Sequence, residues 1–195
     1  MIDEEESDTS KFKISFLGPK TGGKTCIITR FHNNNFSTQV DSTIGVSFLS
    51  HTIQTSKTKI TLHIWDTAGE ERYRCIIPMY FRGSAALVVV FDVSSQPNFE
   101  QAKEWFKIIL DEENEVFDLY FVGNKIDLPR RVSKKDAIDF AKSVNATYIE
   151  TSAKTGEKIN DLFLMIAEKI VQREDLSLAI PRSLTIDDRK GGCCK

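Results

Sequence analysis

Hydrophobic and polar positions alternate in KFKISF (residues 11–16), so that Phe12, Ile14 and Phe16 share one face, and Leu17 then runs into a Gly-rich stretch. Period-two alternation passing into glycines predicts a strand that feeds a loop, and a helix follows from Lys24 to about Phe31. Residues 46–53 and 59–66 are two β-rich runs. The second alternates Ile60, Leu62 and Ile64, and the polar QTSKT between the runs predicts a hairpin. AALVVVF (85–91) and LYFVG (119–123) are continuously apolar, as central parallel strands covered on both faces require, and they end at Asp92 and Asn124. Between them Phe99, Ala102, Phe106 and Ile109 recur at helical spacing, with Pro97 suited to a first turn. Ser133 with Asp136 resembles a capping box, opening a helix whose apolar face is Ala137, Phe140, Ala141 and Val144. TYIET (147–151) reads as a last strand, and Ile159, Leu162, Phe163, Ile166 and Ile170 mark a final amphipathic helix. The alternation predicts an α/β class: a six-stranded, mostly parallel sheet with one antiparallel strand and about five helices on both faces.

The chain's 195 residues suit one domain with short extensions. Residues 1–10 carry Asp3, Glu4, Glu5, Glu6 and Asp8 and read as an acidic flexible arm. Residues 11–172 form the domain, and 173–195, where the hydrophobic period fails, read as a flexible tail. Lys and Arg number 26 against 28 Asp and Glu, a formal charge of −2, which gives no general attraction to nucleic acid. The longest apolar run, 85–91, falls well short of the roughly 20 residues of a membrane-spanning helix. An acidic N-terminus is the opposite of what a signal peptide needs, so a cytosolic compartment is expected. In that compartment Cys26, Cys75, Cys193 and Cys194 suggest no disulfide framework, and their spacing is not that of a zinc site.

GPKTGGKT (18–25) fits G-x-x-x-x-G-K-[ST] between a predicted strand and a predicted helix. Such a loop curls so that backbone N–H groups point at phosphate oxygens, with the helix N-terminus behind them. Lys24 would reach the β- and γ-phosphates and the Thr25 hydroxyl would ligate Mg²⁺. An ordinary Gly-rich turn is the bland reading, but three further motifs follow in the order a nucleotide site needs. Asp66 ends the hairpin's second strand, where a carboxylate can hold Mg²⁺ through water, and Gly69 can offer its N–H to a γ-phosphate. Alone, Asp-x-x-Gly is commonly a strand entering a turn. In NKID (124–127), Asp127 supplies two acceptors that match the N1–H and N2–H₂ edge of guanine; adenine would leave that carboxylate unpaired. The same residues also suit a helix cap. Ser152, Ala153 and Lys154 follow the last strand and supply a backbone N–H for guanine O6, while Lys125 and Lys154 can cover the base with their stems. All four motifs stand at strand ends on one edge of the sheet, where ligands of open α/β sheets bind.

At this point the sequence resembles the small GTPases of the Ras superfamily, and specifically the Rab family, over roughly residues 12–172. The Rab-like stretches are STIGVSF (42–48), IWDTAGEERY (64–73) and YFRG (80–83). The resemblance implies the P-loop NTPase fold and a GTP/GDP switch in membrane traffic. It implies nucleotide contacts at Gly18, Thr21, Gly22, Gly23, Lys24, Thr25, Cys26, Phe36, Thr43, Asp66, Gly69, Asn124, Lys125, Asp127, Ser152, Ala153 and Lys154. Thr43 would bind Mg²⁺ beside Thr25 and Asp66 and meet the γ-phosphate through its N–H, and Phe36 would pack edge-on against the guanine. Lys24, Thr43, Gly69 and Glu70 would serve hydrolysis. γ-Phosphate and Mg²⁺ would hold the Thr43 and Gly69 loops until hydrolysis releases them. Ile44, Phe48, Trp65 and Tyr80 would form the state-dependent surface for effectors, or, on the plainer reading, pack in the hairpin. The implied partners are effectors, an exchange factor, a GTPase-activating protein and a GDP-dissociation inhibitor or escort, acting on a monomer.

Two residues depart from the family's pattern. Glu70 stands where Rab proteins usually carry the Gln that orients the attacking water. It cannot donate to the transferring phosphoryl oxygens, and its charge opposes a polyanion by up to about 4 kcal/mol at 4 Å with an effective dielectric near 20. Slow intrinsic turnover is expected, or, alternatively, a GTP-binding module with negligible hydrolysis that recruits partners constitutively. Lys20, at a position usually small, would project toward the γ-phosphate side and couple to Glu70 or, on the plainer reading, point to solvent. An ATP-using P-loop enzyme is disfavoured by Asp127 and the Ser-Ala-Lys turn. At the other end, Cys193 and Cys194 do not meet Cys-a-a-X but resemble the Rab double-prenyl signal, placing the chain on the cytosolic face of endomembranes. The tail's Arg173, Arg182, Arg189, Lys190 and Lys195 are offset by Glu174, Asp175, Asp187 and Asp188, so two lipids rather than a polybasic patch would anchor it.

Overall fold

The computed structural model describes residues 9–37, 43, 45–69, 77–111 and 117–179. In chain order the elements are β1 (Lys11–Leu17), α1 (Lys24–Asn33), β2 (Val46–Gln54), β3 (Lys59–Thr67), α2 (Ile77–Phe81), β4 (Ala86–Asp92), α3 (Gln96–Leu110), β5 (Asp118–Asn124), α4 (Lys134–Ser143), β6 (Thr147–Glu150) and α5 (Ile159–Ala179). The strands form one six-stranded sheet in the order β2-β3-β1-β4-β5-β6. β2 runs antiparallel to β3 over Val46↔Thr67 to Gln54↔Lys59, and the remaining pairs are parallel. The expected α/β class, strand count and single antiparallel strand are those observed.

The continuous apolar runs follow from period-two alternation on a sheet covered on both faces. From β4, Val88 and Val90 enter one core with Ile27 of α1 and Leu162, Phe163 and Ile166 of α5. Leu87, Val89 and Phe91 enter the other with Phe99, Trp105 and Phe106 of α3 and Ala137 of α4. Aromatic stacking joins the first core, with the Phe31 and Phe163 rings 3.7 Å apart at 9°. In the second core, Phe121 sits among Phe91, Phe106 and Phe140.

Helix ends carry the expected punctuation. Ser133 accepts from the Asp136 N–H at the start of α4, and Ser95 caps α3 by accepting from the Asn98 N–H, with Pro97 in the first turn. α5 behaves differently from its hydrophobic pattern: residues 172–175 are exposed or half-buried, yet the helix continues past Gln172 to Ala179. Polar ties to neighbouring elements hold that extension. Arg173 donates to Ala85 O and pairs with Asp118. In the β2–β3 turn, the Ser56 N–H and hydroxyl donate to Glu168 at 2.5 and 2.7 Å, and Lys57 pairs with Asp175. At the other end the expected arm is already pinned at its last residues, because Thr61 N–H donates to Ser10 O and Thr9 meets the Thr61 hydroxyl. Among the described residues no helix is long and apolar enough to cross a membrane.

Candidate nucleotide site

The C-terminal ends of β1, β3, β5 and β6 bring most of the candidate residues to one edge of the sheet, as the parallel topology requires. There a cleft of about 440 Å³ is lined by Lys20, Thr21, Gly23, Lys24, Thr25, Cys26, Phe36, Ser37, Thr43, Thr67, Gly69, Asn124, Lys125, Asp127, Leu128, Ala153 and Lys154. Gly18 and Gly22 stand behind it, where the phosphate loop lies on the Val90 carbonyl so closely that a side chain would collide at 2.4 and 2.8 Å.

α1 opens directly from this loop. Gly23, at φ +96°, is its N-cap, and a Cβ there would meet Asn124 Nδ2 at 2.3 Å. Lys24 is 6% exposed and folds its ammonium back over the loop onto the Gly18 and Pro19 carbonyls at 2.9 and 3.1 Å. Burial lowers its pKa to about 8, with Asp66 pulling the other way; an anion arriving at the loop would favour the charged form. Burial also raises Asp66, against the Thr25 hydrogen bond and the Lys24 charge. The Cys26 thiol is pushed up, mainly by burial.

Thr25 donates its hydroxyl to Asp66 Oδ2 at 2.6 Å and lies 2.9 Å from the Thr43 hydroxyl, which is itself 3.4 Å from the same carboxylate oxygen. Asp66 Oδ1 is buried and has no partner among the described residues. Two hydroxyls and an under-satisfied carboxylate are hard oxygen donors, the set that suits Mg²⁺. Gly69 leans onto the phosphate loop: its carbonyl accepts from the Lys20 N–H at 3.0 Å, and a Cβ would lie 2.5 Å from that nitrogen and 2.6 Å from Lys24 Nζ. Only glycine fits so close an approach.

On the base side, Asn124 acts as a brace. Its amide donates to Gly22 O at 3.0 Å and its Oδ1 accepts from Ala153 N–H and the Thr151 hydroxyl, tying the phosphate loop to the last turn. Asp127 Oδ1 accepts from the Ser152 hydroxyl at 2.6 Å, and Lys154 Nζ lies 4.0 Å from Oδ2. Ser152 therefore orients the carboxylate and does not itself line the cleft. Lys125 pairs with Asp92 at 2.8 Å, which holds its stem along the cleft, and Phe36 lines the cleft half-buried. Farther along the hairpin, Phe48 is 54% exposed and its ring lies 5.7 Å from that of half-buried Trp65. Glu70, Ile44, Cys193 and Cys194 lie outside the described residues.

Three supporting residues escaped the motif search. Asn98 of α3 donates to the Lys20 carbonyl at 2.9 Å. Asp92 was visible only as the polar end of a strand, yet it holds Lys125. Arg30 of α1 bonds the Ala153 and Lys154 carbonyls. Their partners are 78 or more positions distant, except for the 33 positions between Asp92 and Lys125, so local spacing carried no sign of them.

Comparison with known proteins agrees with this geometry. The model of the Ras family matches residues 13–172. The chain is 41% identical over 163 residues to a protein named putative ras-related protein Rab-5B from Dictyostelium discoideum, covering 83% of this chain and 76% of the relative. It is 38% identical over 162 residues to ras-related protein Rab-5A of the same organism, covering 82% and 81%.

Proposed function

The chain belongs to the Ras family, as a Rab-family small GTPase, and from that premise we propose that it is a GTP/GDP switch that recruits effectors in membrane traffic and hydrolyses GTP slowly unaided. The observation that carries the switch reading is the convergence of Thr25, Thr43 and Asp66 within hydrogen-bond range, with Gly69 drawn onto the phosphate loop. Thr43 and Gly69 belong to two separate loops, and both reach the same end of the cleft, where the terminal phosphate of GTP would lie.

Thr25, Thr43 and Asp66 would hold Mg²⁺, which would supply charge neutralisation to the β- and γ-phosphate oxygens. Lys24 would bind the same phosphates, and the backbone N–H groups of the loop and of α1 would cradle them. Asp127, oriented by Ser152, would accept from the guanine N1–H and N2–H₂. Lys125, held by Asp92, and Lys154 would cover the base. Phe48 and Trp65, adjacent on the hairpin, would be read by effectors when the neighbouring Thr43 loop is held. Cys193 and Cys194 would carry prenyl groups that place the protein on endomembranes, served there by exchange, activating and escort partners.

Slow turnover rests on Glu70 standing in the place of the water-orienting Gln. Lys20 lines the cleft and bonds Gly69 through its backbone, which supports the idea that its ammonium works together with Glu70. The test is single-turnover phosphate release from GTP bound to the full chain with Mg²⁺, alone and with a Rab-type activating domain. Slow release alone, a strong rise with the activator and a rise of about 10-fold or more in Glu70→Gln are expected, a hydrogen bond to a charged group being worth about 1.5–3 kcal/mol. Release that stays negligible with the activator would favour the constitutive binding module, for which Glu70 is the supporting feature. In a cycle with Lys20→Ser, additive effects would remove the Lys20–Glu70 coupling.

A further inference from the structure

One guanidinium ties together the two irregular walls of the base side of the cleft. Arg30, on the last turns of α1, donates from Nε to Ala153 O at 2.8 Å and from Nη2 to Lys154 O at 2.7 Å. Its Nη1 donates to Asn34 O at 2.9 Å, at the start of the segment that carries Phe36, and the Phe36 ring lies 5.9 Å from the guanidinium carbon. Ala153, Lys154 and Phe36 all line the cleft, and none of them lies in a helix or strand. Among the described residues, apart from the Asn124 brace on Ala153 N–H, Arg30 is the side chain that grips the 153–154 backbone.

We propose that Arg30 is a positioning residue that sets how firmly the purine 6-oxo group is held and hence how fast the nucleotide leaves. This rests on reading 152–154 as the turn that meets guanine O6. In a trans peptide the carbonyl and the following N–H point in opposite directions. With the Ala153 carbonyl drawn onto Arg30, the Lys154 N–H is turned away from α1, toward the cleft that Lys154 lines. The second bond, to Lys154 O, stops the next peptide from rotating. Three carbonyls at fixed angles require a planar, many-donor fork, which the single ammonium of lysine cannot reproduce. The contact with Asn34 couples the Phe36 wall to the same anchor, so loosening one wall loosens both.

The test compares the full-length wild type with Arg30→Met, which keeps the apolar stem, and with Arg30→Lys, which keeps the charge and folds more safely. Each is loaded with Mg²⁺ and either GDP or 2-aminopurine riboside diphosphate, which lacks the 6-oxo group and with it the N1–H that faces Asp127 in every variant alike, and dissociation is followed by displacement. GDP release is expected to quicken about 10- to 100-fold in Arg30→Met, as loss of charge-assisted hydrogen bonds implies, and to be only partly rescued in Arg30→Lys. Release of the analogue should change by less than about threefold. Equal acceleration of both nucleotides, or no acceleration of either, in whichever variant folds, would overturn the proposal. A wild type that holds the analogue as tightly as GDP would instead overturn the reading of the 152–154 turn, and the role of Arg30 with it.

Discussion

Tyr120 is fully buried on β5, and its hydroxyl has no hydrogen-bond partner among the described residues. Burial, with Asp118 nearby, pushes the phenol far above its ordinary titration range, so it stays neutral. A buried hydroxyl without a partner costs free energy that a ring alone would not. Tyr120→Phe is therefore expected to raise stability by about 1 kcal/mol, seen as a higher urea midpoint at unchanged slope; a loss of 1 kcal/mol or more would show that the hydroxyl is satisfied. At this scale the sequence was most legible where a residue's neighbours in the chain are also its partners in chemistry, as from Gly18 to Thr25. It was least legible for residues such as Asn124. Its place in NKID gave no sign that its amide spans Gly22 and Ala153 while it lines the cleft.

Between α1 and β2 two histidines meet, with His32 Nδ1 3.3 Å from His51 Nδ1 and the His51 ring 4.4 Å from that of Phe31. Burial lowers the His51 pKa, and the neighbouring His32 lowers it further. A histidine with a depressed pKa in the fold stays neutral there while the unfolded chain takes up the proton. Its contribution is thus complete above the ordinary value of about 6.5 and is lost as the pH falls through the lowered native value. The denaturation midpoint is expected to fall between pH 7 and pH 5.5, and His51→Gln should flatten that slope. An unchanged slope would show that His51 does not titrate differently on folding. Element existence followed well from hydrophobic period, from KFKISF through TYIET, because each strand and helix face is buried against the sheet or its cover. The extension of α5 to Ala179 did not, since Arg173 and Asp175 hold it through charges on other elements.

Across the whole molecule, the cleft gathers residues from the ends of β1, β3, β5 and β6 and from the connection between α1 and β2, so an occupant adds contacts between segments that the Asn124, Lys20–Gly69 and Arg30 bonds already join. A ligand that binds only the folded state adds stability by mass action, about 2.7 kcal/mol at 100 times its dissociation constant. Stripping nucleotide and Mg²⁺ with a chelator should lower the melting temperature by roughly 5–10 °C for a domain of this size, and GDP with Mg²⁺ should restore it where ATP with Mg²⁺ does not. Equal rescue by ATP would contradict the guanine-selective reading of Asp127.

The amino-acid sequence by itself determined the α/β class, the order of the strands and of every helix but the short α2, and the four strand-end motifs from the phosphate loop onward, because each depends on residues close together in the chain. Hydrophobic period and turn chemistry act locally, and so does the curl of a Gly-rich loop. Only the tertiary structure decided that the Thr25 and Thr43 hydroxyls converge on Asp66, that Asn98 and Arg30 support the loops from α3 and α1, and that the hairpin turn is latched to α5. Those contacts join residues from 18 to 123 positions apart. Their partners are selected by the sheet order and by how far each helix reaches over it, which no local pattern encodes.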